Sequence, residues 1–292
     1  MSAQPVAKQP QPIADTSTAS STSPKPAGPS PAPARGPSRI TDITVEHGPV
    51  DLLGRFFLKA DTAARQRGVS LSFGTYEELV EANRKNSDSW KRIISMYDPR
   101  YCPAGLAPDR AFCILGRDAR GEVVATHAAR FFDFDDNDTL YDVATSSRMF
   151  YDDPERMKLP GERCEISASV ARTIRGRVLI NGAVWYHPSF RKRELAMIIP
   201  RAARAYAYTR WKIDYSMGLV VEAATKGGVV DSLGYPHREW ELRLFNSTSG
   251  NVRCCFAWMS SAEMLDDLER WLVGFDAQVD SGLGQRHAQH QR

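Results

Sequence analysis

The spacing of apolar residues predicts helices around a short strand near the start of the folded chain. Apolar positions recur at helical spacing between residues 49 and 67, and Gly68 supplies a stop. The run VSLSF then predicts an extended segment, and Thr75 with Glu78 forms a capping box for a helix over TYEELVEANRKN. A third helix is predicted over SWKRIISMY, because Asp98-Pro99 would end it.

Strand patterns begin after Pro108. The run AFCILGRDARGEVVATHAARFF has two β-rich halves joined by a polar turn, which predicts an antiparallel hairpin. Further on, GRVLINGAVWY predicts a strand, ELAMIIPRAARAYAYTRW a helix and IDYSMGLVVE a second strand. A weak helix over AATKGGVVDSLGY, strands over EWELRLFNS and NVRCCFAWMS, and a closing helix over SAEMLDDLERWLVGF complete the pattern. This order predicts an α/β (α+β) fold with a mixed sheet flanked by helices.

The long helix near residue 200 is expected to turn one apolar side toward the core. The residues on that side are Leu195, Ile198, Ile199, Ala202, Ala205, Tyr206 and Thr209. Arg201, Arg204 and Arg210 are expected on a solvated outer face of the same helix. A nucleic-acid surface is not favoured, because no aromatic interleaving or known module accompanies these cations.

The acidic stretch DFDDNDTLYD predicts a helix start, since carboxylates favour a helix N-terminus, and this helix is expected to run to Met149. The spacing also resembles a calcium loop, with Asp133, Asp135 and Asn137 at the first ligand positions. Asp138 and Ala144 then occupy the positions of the turn glycine and the bidentate glutamate. The solvated helix start is therefore favoured, and no metal site is predicted.

Composition divides the chain into a tail and a domain. Nine of the 18 prolines lie between Pro5 and Pro37, and no aromatic residue precedes Phe56. We expect a disordered tail over residues 1–39, acting as a spacer or as a proline-motif docking site. Residues 40–278 form the expected domain, with an N-terminal helical wall (40–108), a core (109–260) and a C-terminal helix (261–278). Residues 279–292 are expected to form a polar, frayed tail.

Charge and cysteine content exclude several classes of protein. The net charge of +3 is too small for a nucleic-acid footprint, and the five cysteines, with no CxxC, disfavour a disulfide framework. Cys254 and Cys255 lie on opposite faces of a strand, so one is expected in the core and the other near the surface. Nothing nearby marks an activated thiolate. Without a membrane span or a signal-peptide h-region, we expect a soluble, cytoplasmic protein.

The segment from Val184 to Asp214 carries the candidate chemistry. A strand ending in YHP runs through Arg191, Lys192 and Arg193 into the N-terminus of the long helix. Backbone N–H groups and the positive end of the helix dipole form an anion site at such a start. The neighbouring cations would add charge-assisted bonds to phosphate oxygens.

The run AVWYHPSFRKRELAMIIPRAARAYAYTRW resembles the signature of the GNAT acyltransferase superfamily. In that family a strand, an R/Q-x-x-G-x-G/A loop and a helix bind the pyrophosphate of acetyl-CoA. The preceding hairpin, the following strand and VVDSLGY, which is similar to the family's LGF-like helix ending, occur in the family's order. The resemblance covers about residues 110–260 apart from an insertion near 132–173. It implies a GNAT-like mixed, mostly antiparallel sheet.

The resemblance implies acetyl-CoA or another acyl-CoA as co-substrate and an amine as acceptor. The end of the strand would receive the pantetheine arm, and the loop would hold the pyrophosphate. The residues implied in binding are Trp185, Tyr186, Arg191, Lys192, Arg193, Glu194, Leu195 and Ala196. Arg191 and Ala196 match the first and last loop positions, whereas Glu194 stands where the family's first glycine lies. The helices before the hairpin would form a wall over the acceptor.

The catalytic residues depart from the family's pattern, because Val230 occupies the position of the proton-donating tyrosine. Tyr235, which replaces the family's phenylalanine, is a candidate acid or a packing residue. A general base needs a carboxylate or an imidazole, so Glu222 and His187 are candidates. Glu165 and His237 are further residues of the required type, and deprotonation through water would need contact with none of these groups.

Two functions of different classes are consistent with the sequence. The first is an acyl-CoA-dependent N-acyltransferase, in which an amine attacks the thioester directly. The acceptor would be a small molecule, a protein lysine or a protein N-terminus. The second is a GNAT-fold binding or regulatory module with weak or absent catalysis. Neither function involves nucleic acid or a membrane.

Overall fold

The computed structural model describes residues 38–134, 138–225 and 229–290. The predicted tail over residues 1–39 lies almost wholly outside them. The strands are β1 (Ser70–Gly74), β2 (Ala111–Arg117), β3 (Val123–Phe134), β4 (Arg163–Ile166), β5 (Gly176–Tyr186), β6 (Tyr215–Val221), β7 (His237–Ser247) and β8 (Gly250–Ser260). The α-helices are α1 (Val50–Gln66), α2 (Tyr76–Lys85), α3 (Leu140–Thr145), α4 (Pro154–Met157), α5 (Val170–Thr173), α6 (Leu195–Trp211), α7 (Glu222–Thr225), α8 (Val229–Ser232) and α9 (Ser261–His290).

The described strands form one sheet in the order β1-β2-β3-β5-β6-β8-β7-β4. Its neighbouring strands are antiparallel at every step except one, because β5 and β6 run parallel. Helix α6 connects these two strands, as a parallel pair requires a crossover. The predicted fold class, a mixed and mostly antiparallel sheet flanked by helices, is therefore confirmed.

Both faces of the sheet are covered, which decides where the helices lie. One face packs against α1, α6 and α9 through residues such as Phe56 and Ile199. The other face packs against α2 and the segments around α3 and α5, including Leu79 and Leu140. The predicted N-terminal helical wall is thus divided, since α1 and α2 lie on opposite faces. None of the described helices has the length and apolar character that a membrane-spanning segment needs.

The structure contradicts the helix predicted over SWKRIISMY. The chain there is extended, with a single 3-10 turn over Ser95–Tyr97. The side chain of Asn83 donates to the carbonyl of Lys91 at 3.0 Å and accepts from the amide of Ile93 at 3.3 Å. These contacts satisfy backbone groups that a helix would otherwise have paired, so a contact from α2 overrides the local helical pattern.

The insertion between the hairpin and β5 also differs from its prediction. Helix α3 ends at Thr145, and Ser147 has a positive φ of 68°, so the helix does not reach Met149. Asp135 and Asn137 of the calcium-loop pattern lie outside the described residues. Short β4 was not predicted, and it pairs with β7 at the edge of the sheet. At the other end of the chain α9 continues to His290, where a frayed tail was expected.

Two further expectations about burial are wrong. Cys254 and Cys255 do point to opposite faces, but both are buried because helices cover both faces of the sheet. Arg201 and Arg204 lie in the core instead of on a solvated face. Only Arg210, which reaches the hydroxyl of Tyr206 and the carbonyl of Pro108, remains near the surface.

The two buried arginines share one carboxylate from the last helix. Asp267 of α9 accepts from Arg201 at 2.9 Å and from Arg204 at 3.3 Å, and the Arg204 side chain is 0% exposed. Arg201 also donates to the carbonyls of Met197 and Ser232, and Arg204 donates to that of Leu233. This cluster connects α6, α9 and the segment after α8.

We expect Asp267→Ala to lower the free energy of unfolding by about 3–5 kcal/mol, because two buried guanidinium groups would lose their carboxylate. Urea unfolding followed by circular dichroism measures this loss. Asp266→Ala is the matched control, since Asp266 is exposed on the same helix turn and its loss should cost no more than about 0.5 kcal/mol. Equal midpoints for the two variants would contradict the structural role of the cluster.

Candidate functional site

The parallel strands β5 and β6 separate in the middle of the sheet. They pair only from Val178 with Tyr215 to Asn181 with Gly218. Beyond that point β5 continues against β3 and β6 continues against β8, but the two strands no longer pair with each other. Gly182, Ala183 and Val184 are partly exposed although they lie in a central strand. The separation thus opens a slot, and we call its closed end, at Asn181 and Gly218, the vertex.

A bulge in β5 turns this strand away from β6. The register with β3 passes from Ala128 opposite Gly182 to Thr126 opposite Trp185, so β5 contains one extra residue. Ala183 has a positive φ of 47°, and its carbonyl accepts a hydrogen bond of 2.8 Å from the hydroxyl of Thr126. Because a bulge bends and twists its strand, pairing with β6 does not resume.

The vertex is fixed by the amide side chain of Asn181. Its Nδ2 atom donates to Ser216 Oγ at 3.0 Å and to the carbonyl of Met217 at 3.1 Å, and lies 3.2 Å from the Tyr235 hydroxyl. Its Oδ1 atom lies 2.9 Å from His127 Nε2. The amide oxygen can only accept, so His127 carries its proton on Nε2. Burial lowers the pKa of His127 to about 4, and the imidazole is therefore neutral near pH 7.

The loop between β5 and α6 takes a glycine-like path without glycine. Lys192 and Glu194 have positive φ angles of 61° and 59°. A left-handed residue followed by a helical one turns successive N–H groups toward one point, which makes an anion-binding concavity. Among the described residues, the amides of Leu195 and Ala196 at this point have no hydrogen-bond acceptor.

Side chains of this loop anchor it to other parts of the chain. Arg191 donates to the carbonyl of Tyr186 at 3.2 Å and to that of Ser89 at 3.3 Å. Arg193 donates to the carbonyl of Arg67 at 3.2 Å. The carboxylate of Glu194 forms an ion pair with the Arg67 guanidinium, so its charge is balanced by a cation at the end of α1.

Trp185 and Tyr186, at the end of β5, are engaged in packing. Trp185 stacks on Trp90 with ring centroids 5.2 Å apart, and its indole N–H donates to Ser89 Oγ at 3.3 Å. Tyr186 contacts the opposite core, and its buried hydroxyl has no partner within the described chain. Burial raises the pKa of Tyr186. Packing therefore holds both rings in place at the end of β5.

The candidate catalytic residues lie at different points along the slot. Tyr235 is at the vertex, where its hydroxyl is also 3.3 Å from Ser216 Oγ. Glu222 follows the last residue of β6 and pairs with Arg253 at 3.0 Å. His187 follows the last residue of β5, and its Nδ1 atom lies 2.7 Å from Ser189 Oγ. Val230, at the position of the family's tyrosine, is buried in the core.

Two further candidates lie away from the slot. Glu165 is on the edge strand β4, where it pairs with Arg163 at 2.8 Å. His237 is on β7 and contacts Glu263 of α9 at 2.6 Å. In the sheet, β8 lies between β6 and the β7 strand of His237, and both β8 and β7 lie between β6 and the β4 strand of Glu165. Neither residue faces the opening between β5 and β6.

Adjacent cysteines and grouped metal-ligating side chains would be alternative sources of reactivity. Burial raises the pKa of Cys254 to about 12 and also raises that of Cys255, so both thiols stay protonated at neutral pH. Over residues 38–134, 138–225 and 229–290, no three His, Cys, Asp or Glu side chains are grouped to hold a metal ion.

Sequence patterns missed the residues that define the vertex. Asn181 is the one amide in the apolar run VLINGAV, and a polar side chain inside a buried strand indicates a specific partner. That signal was available. His127 carried no comparable signal, because an aromatic residue in a buried element is usually explained by packing.

Comparisons with known proteins find likenesses in structure only. No protein-family model and no curated protein matches the chain. Solved structures that match include the aminoglycoside acetyltransferase AAC(6')-Ib with coenzyme A and kanamycin, at 12% identity and a TM-score of 0.39, covering 67% of this chain and 96% of that one. The spermidine/spermine N-acetyltransferase SpeG from Vibrio cholerae matches at 9% identity and a TM-score of 0.41, covering 68% and 97%.

Both of these structures are of acetyltransferases. One further match is AAC(6')-Ib in complex with acetyl-CoA, at 10% identity and a TM-score of 0.39, covering 67% of this chain and 95% of that one.

The neutral His127 makes stability depend on pH. Its folded pKa of about 4 lies below the ordinary histidine value of 6.5, so the unfolded chain binds the proton more tightly. The resulting stability is complete above about pH 6.5 and is lost as the pH falls toward about 4. Urea midpoints across this range should fall more steeply for the native chain than for His127→Gln. Parallel pH profiles would contradict the prediction.

Proposed function

We propose that the protein is an acyl-CoA-dependent N-acyltransferase, with acetyl-CoA as the expected co-substrate and an amine as acceptor. The observation that carries the proposal is the slot between β5 and β6, which opens beside the N-terminus of α6. A single bound molecule with an extended amide arm and a pyrophosphate group would span these two features. Acyl-CoA has both parts.

The slot suits the pantetheine arm because β5 has no strand partner on its β6 side beyond Asn181. Unpaired backbone N–H and C=O groups of a strand bind extended chains, in the manner of an added strand. Pantetheine carries two amide groups along such a chain. Trp185 and Tyr186 would form the wall at the open end.

The loop suits the pyrophosphate through its backbone and its charge. The amides of Leu195 and Ala196 would donate to phosphate oxygens, aided by the positive end of the α6 dipole. Lys192 is exposed and would add a cation. Glu194 would be the one unfavourable group, and its pairing with Arg67 supports binding by reducing the repulsion.

The reaction in this proposal is direct attack of an amine nitrogen on the thioester carbon. As the C–S bond breaks, the leaving thiolate takes a proton. Tyr235 would supply it, because its hydroxyl lies at the vertex, 3.2 Å from Asn181 Nδ2, and an amide nitrogen does not accept its proton. Glu222 or His187 would take the proton of the amine, directly or through water.

A binding or regulatory module is the second candidate function. It is favoured by the buried Val230 at the position of the family's tyrosine and by Glu194 in the loop. Such a module would bind CoA without releasing thiol from acyl-CoA across a panel of amines. Thiol release above the uncatalysed rate would exclude this alternative.

The first test measures CoA binding by calorimetry in the native chain, Glu194→Gln and Glu194→Gly. Both variants remove the carboxylate, and Glu194→Gly also removes the Cβ from a left-handed position. We expect both variants to bind CoA about tenfold more tightly than the native chain, because the repulsion between the carboxylate and the pyrophosphate is lost.

Glu165→Gln is the matched control, because it removes an exposed carboxylate at the far edge of the sheet. Its CoA affinity should equal that of the native chain. No heat with CoA or with any acyl-CoA in all four proteins would contradict the proposed function.

The second test concerns proton donation by Tyr235. Tyr235→Phe should lower kcat roughly 100-fold, because a general acid contributes at least this much. Tyr206→Phe on α6 removes a hydroxyl that contacts Arg210 instead, and its kcat should be unchanged. A Tyr235→Phe enzyme with the native kcat would assign Tyr235 a packing role.

A further inference from the structure

Two glycines mark the vertex of the slot, one on each strand. Gly182 is the first residue of β5 beyond the last pair, and Gly218 is the last paired residue of β6. A Cβ atom on Gly182 would lie 2.6 Å from the Tyr97 ring, and one on Gly218 would lie 3.3 Å from the Tyr235 ring. Each strand is thus covered by a tyrosine at the point where the strands separate.

The two rings approach the vertex from opposite faces of the sheet. Tyr97 belongs to the core that includes Ile180 and Met217. Tyr235 belongs to the core that includes Val220 and Cys255. Burial raises the pKa of Tyr97, and the nearby phenol of Tyr235 raises it further. The two side chains therefore close the same end of the slot.

Neither ring is free to move aside. The Tyr97 hydroxyl donates to the carbonyl of Ile180 at 3.1 Å, and its side chain is almost completely buried. Tyr235 is held at its hydroxyl by Asn181 and Ser216, while the Arg204 guanidinium lies 4.8 Å from its ring centre. Moving either ring would leave a buried hydroxyl or carbonyl without its partner.

We infer that Tyr97 and Tyr235 limit the length of the acyl group, so that the site takes acetyl and propionyl groups and excludes medium chains. This inference rests on the proposed function, in which the thioester lies in the slot and the acyl group points to the vertex. A longer chain gains affinity from each buried methylene when space is available. Here the added methylenes would meet two fixed rings instead.

The experiment compares acetyl-, butyryl-, hexanoyl- and octanoyl-CoA in binding and in thiol release with the native chain. Affinity and kcat/KM should fall at least tenfold from acetyl to hexanoyl. Equal or rising affinity with chain length would overturn the inference while leaving the proposed function intact. No binding of any thioester would overturn both, so the two failures are distinguishable.

Variants of Tyr97 locate the limit. Tyr97→Ala should raise the kcat/KM for hexanoyl-CoA, relative to that for acetyl-CoA, at least tenfold. The control Tyr97→Phe keeps the ring and should retain the native preference for acetyl-CoA. Tyr97→Leu serves if the alanine variant does not fold, as judged by circular dichroism. An unchanged preference in a folded Tyr97→Ala or Tyr97→Leu protein would overturn the role of this ring.

Discussion

The candidate site depends on a single amide side chain that replaces backbone pairing where two parallel strands separate. Asn181 donates to two groups of β6, Ser216 Oγ and the Met217 carbonyl, at the last position where β5 and β6 are still paired. Just beyond it the bulge at Ala183 prevents pairing from resuming. Without the amide the vertex would contain unpaired polar groups, and without the bulge the strands would have no reason to part.

The last helix, α9, supports this arrangement through contacts with α6. Asp267 of α9 pairs with both Arg201 and Arg204 of α6, and Arg204 in turn lies over the ring of Tyr235. The position of Tyr235 at the vertex is therefore coupled to a carboxylate more than 30 residues further along the chain. Buried charges of this kind stabilise a structure only when all their partners are present, which makes the C-terminal helix part of the site's scaffold.

Much of the fold could be predicted from the sequence, because periodicity reports which side of an element is buried. The hairpin of β2 and β3, the strand β5 and the helix α6 follow their apolar patterns. The failures occur where a distant residue decides. Asn83 holds the segment before Tyr97 extended, and Asp267 allows two arginines into the core. No local pattern contains such partners.

The candidate site divides in the same way. The loop of residues 191–196 and the strand before it were found from their order and charge. The groups that hold the loop are the backbone carbonyl of Ser89 and the guanidinium of Arg67, both far away in sequence. The ring that covers Gly182 comes from a segment whose secondary structure was predicted wrongly. Contacts of this kind join segments that are distant in sequence, so no local pattern predicts them.

The ion pair between Arg67 and Glu194 limits how this sequence can change during evolution. The guanidinium of Arg67 balances the charge of the Glu194 carboxylate, and the backbone carbonyl of Arg67 accepts a hydrogen bond from the Arg193 side chain. Loss of the arginine alone would leave an unbalanced charge at the loop, whereas a glycine at position 194 would remove the need for the cation. The two positions should therefore covary among descendants of this protein, although 127 residues separate them. Substitutions at the end of helix α1 and in the loop are therefore expected to occur together.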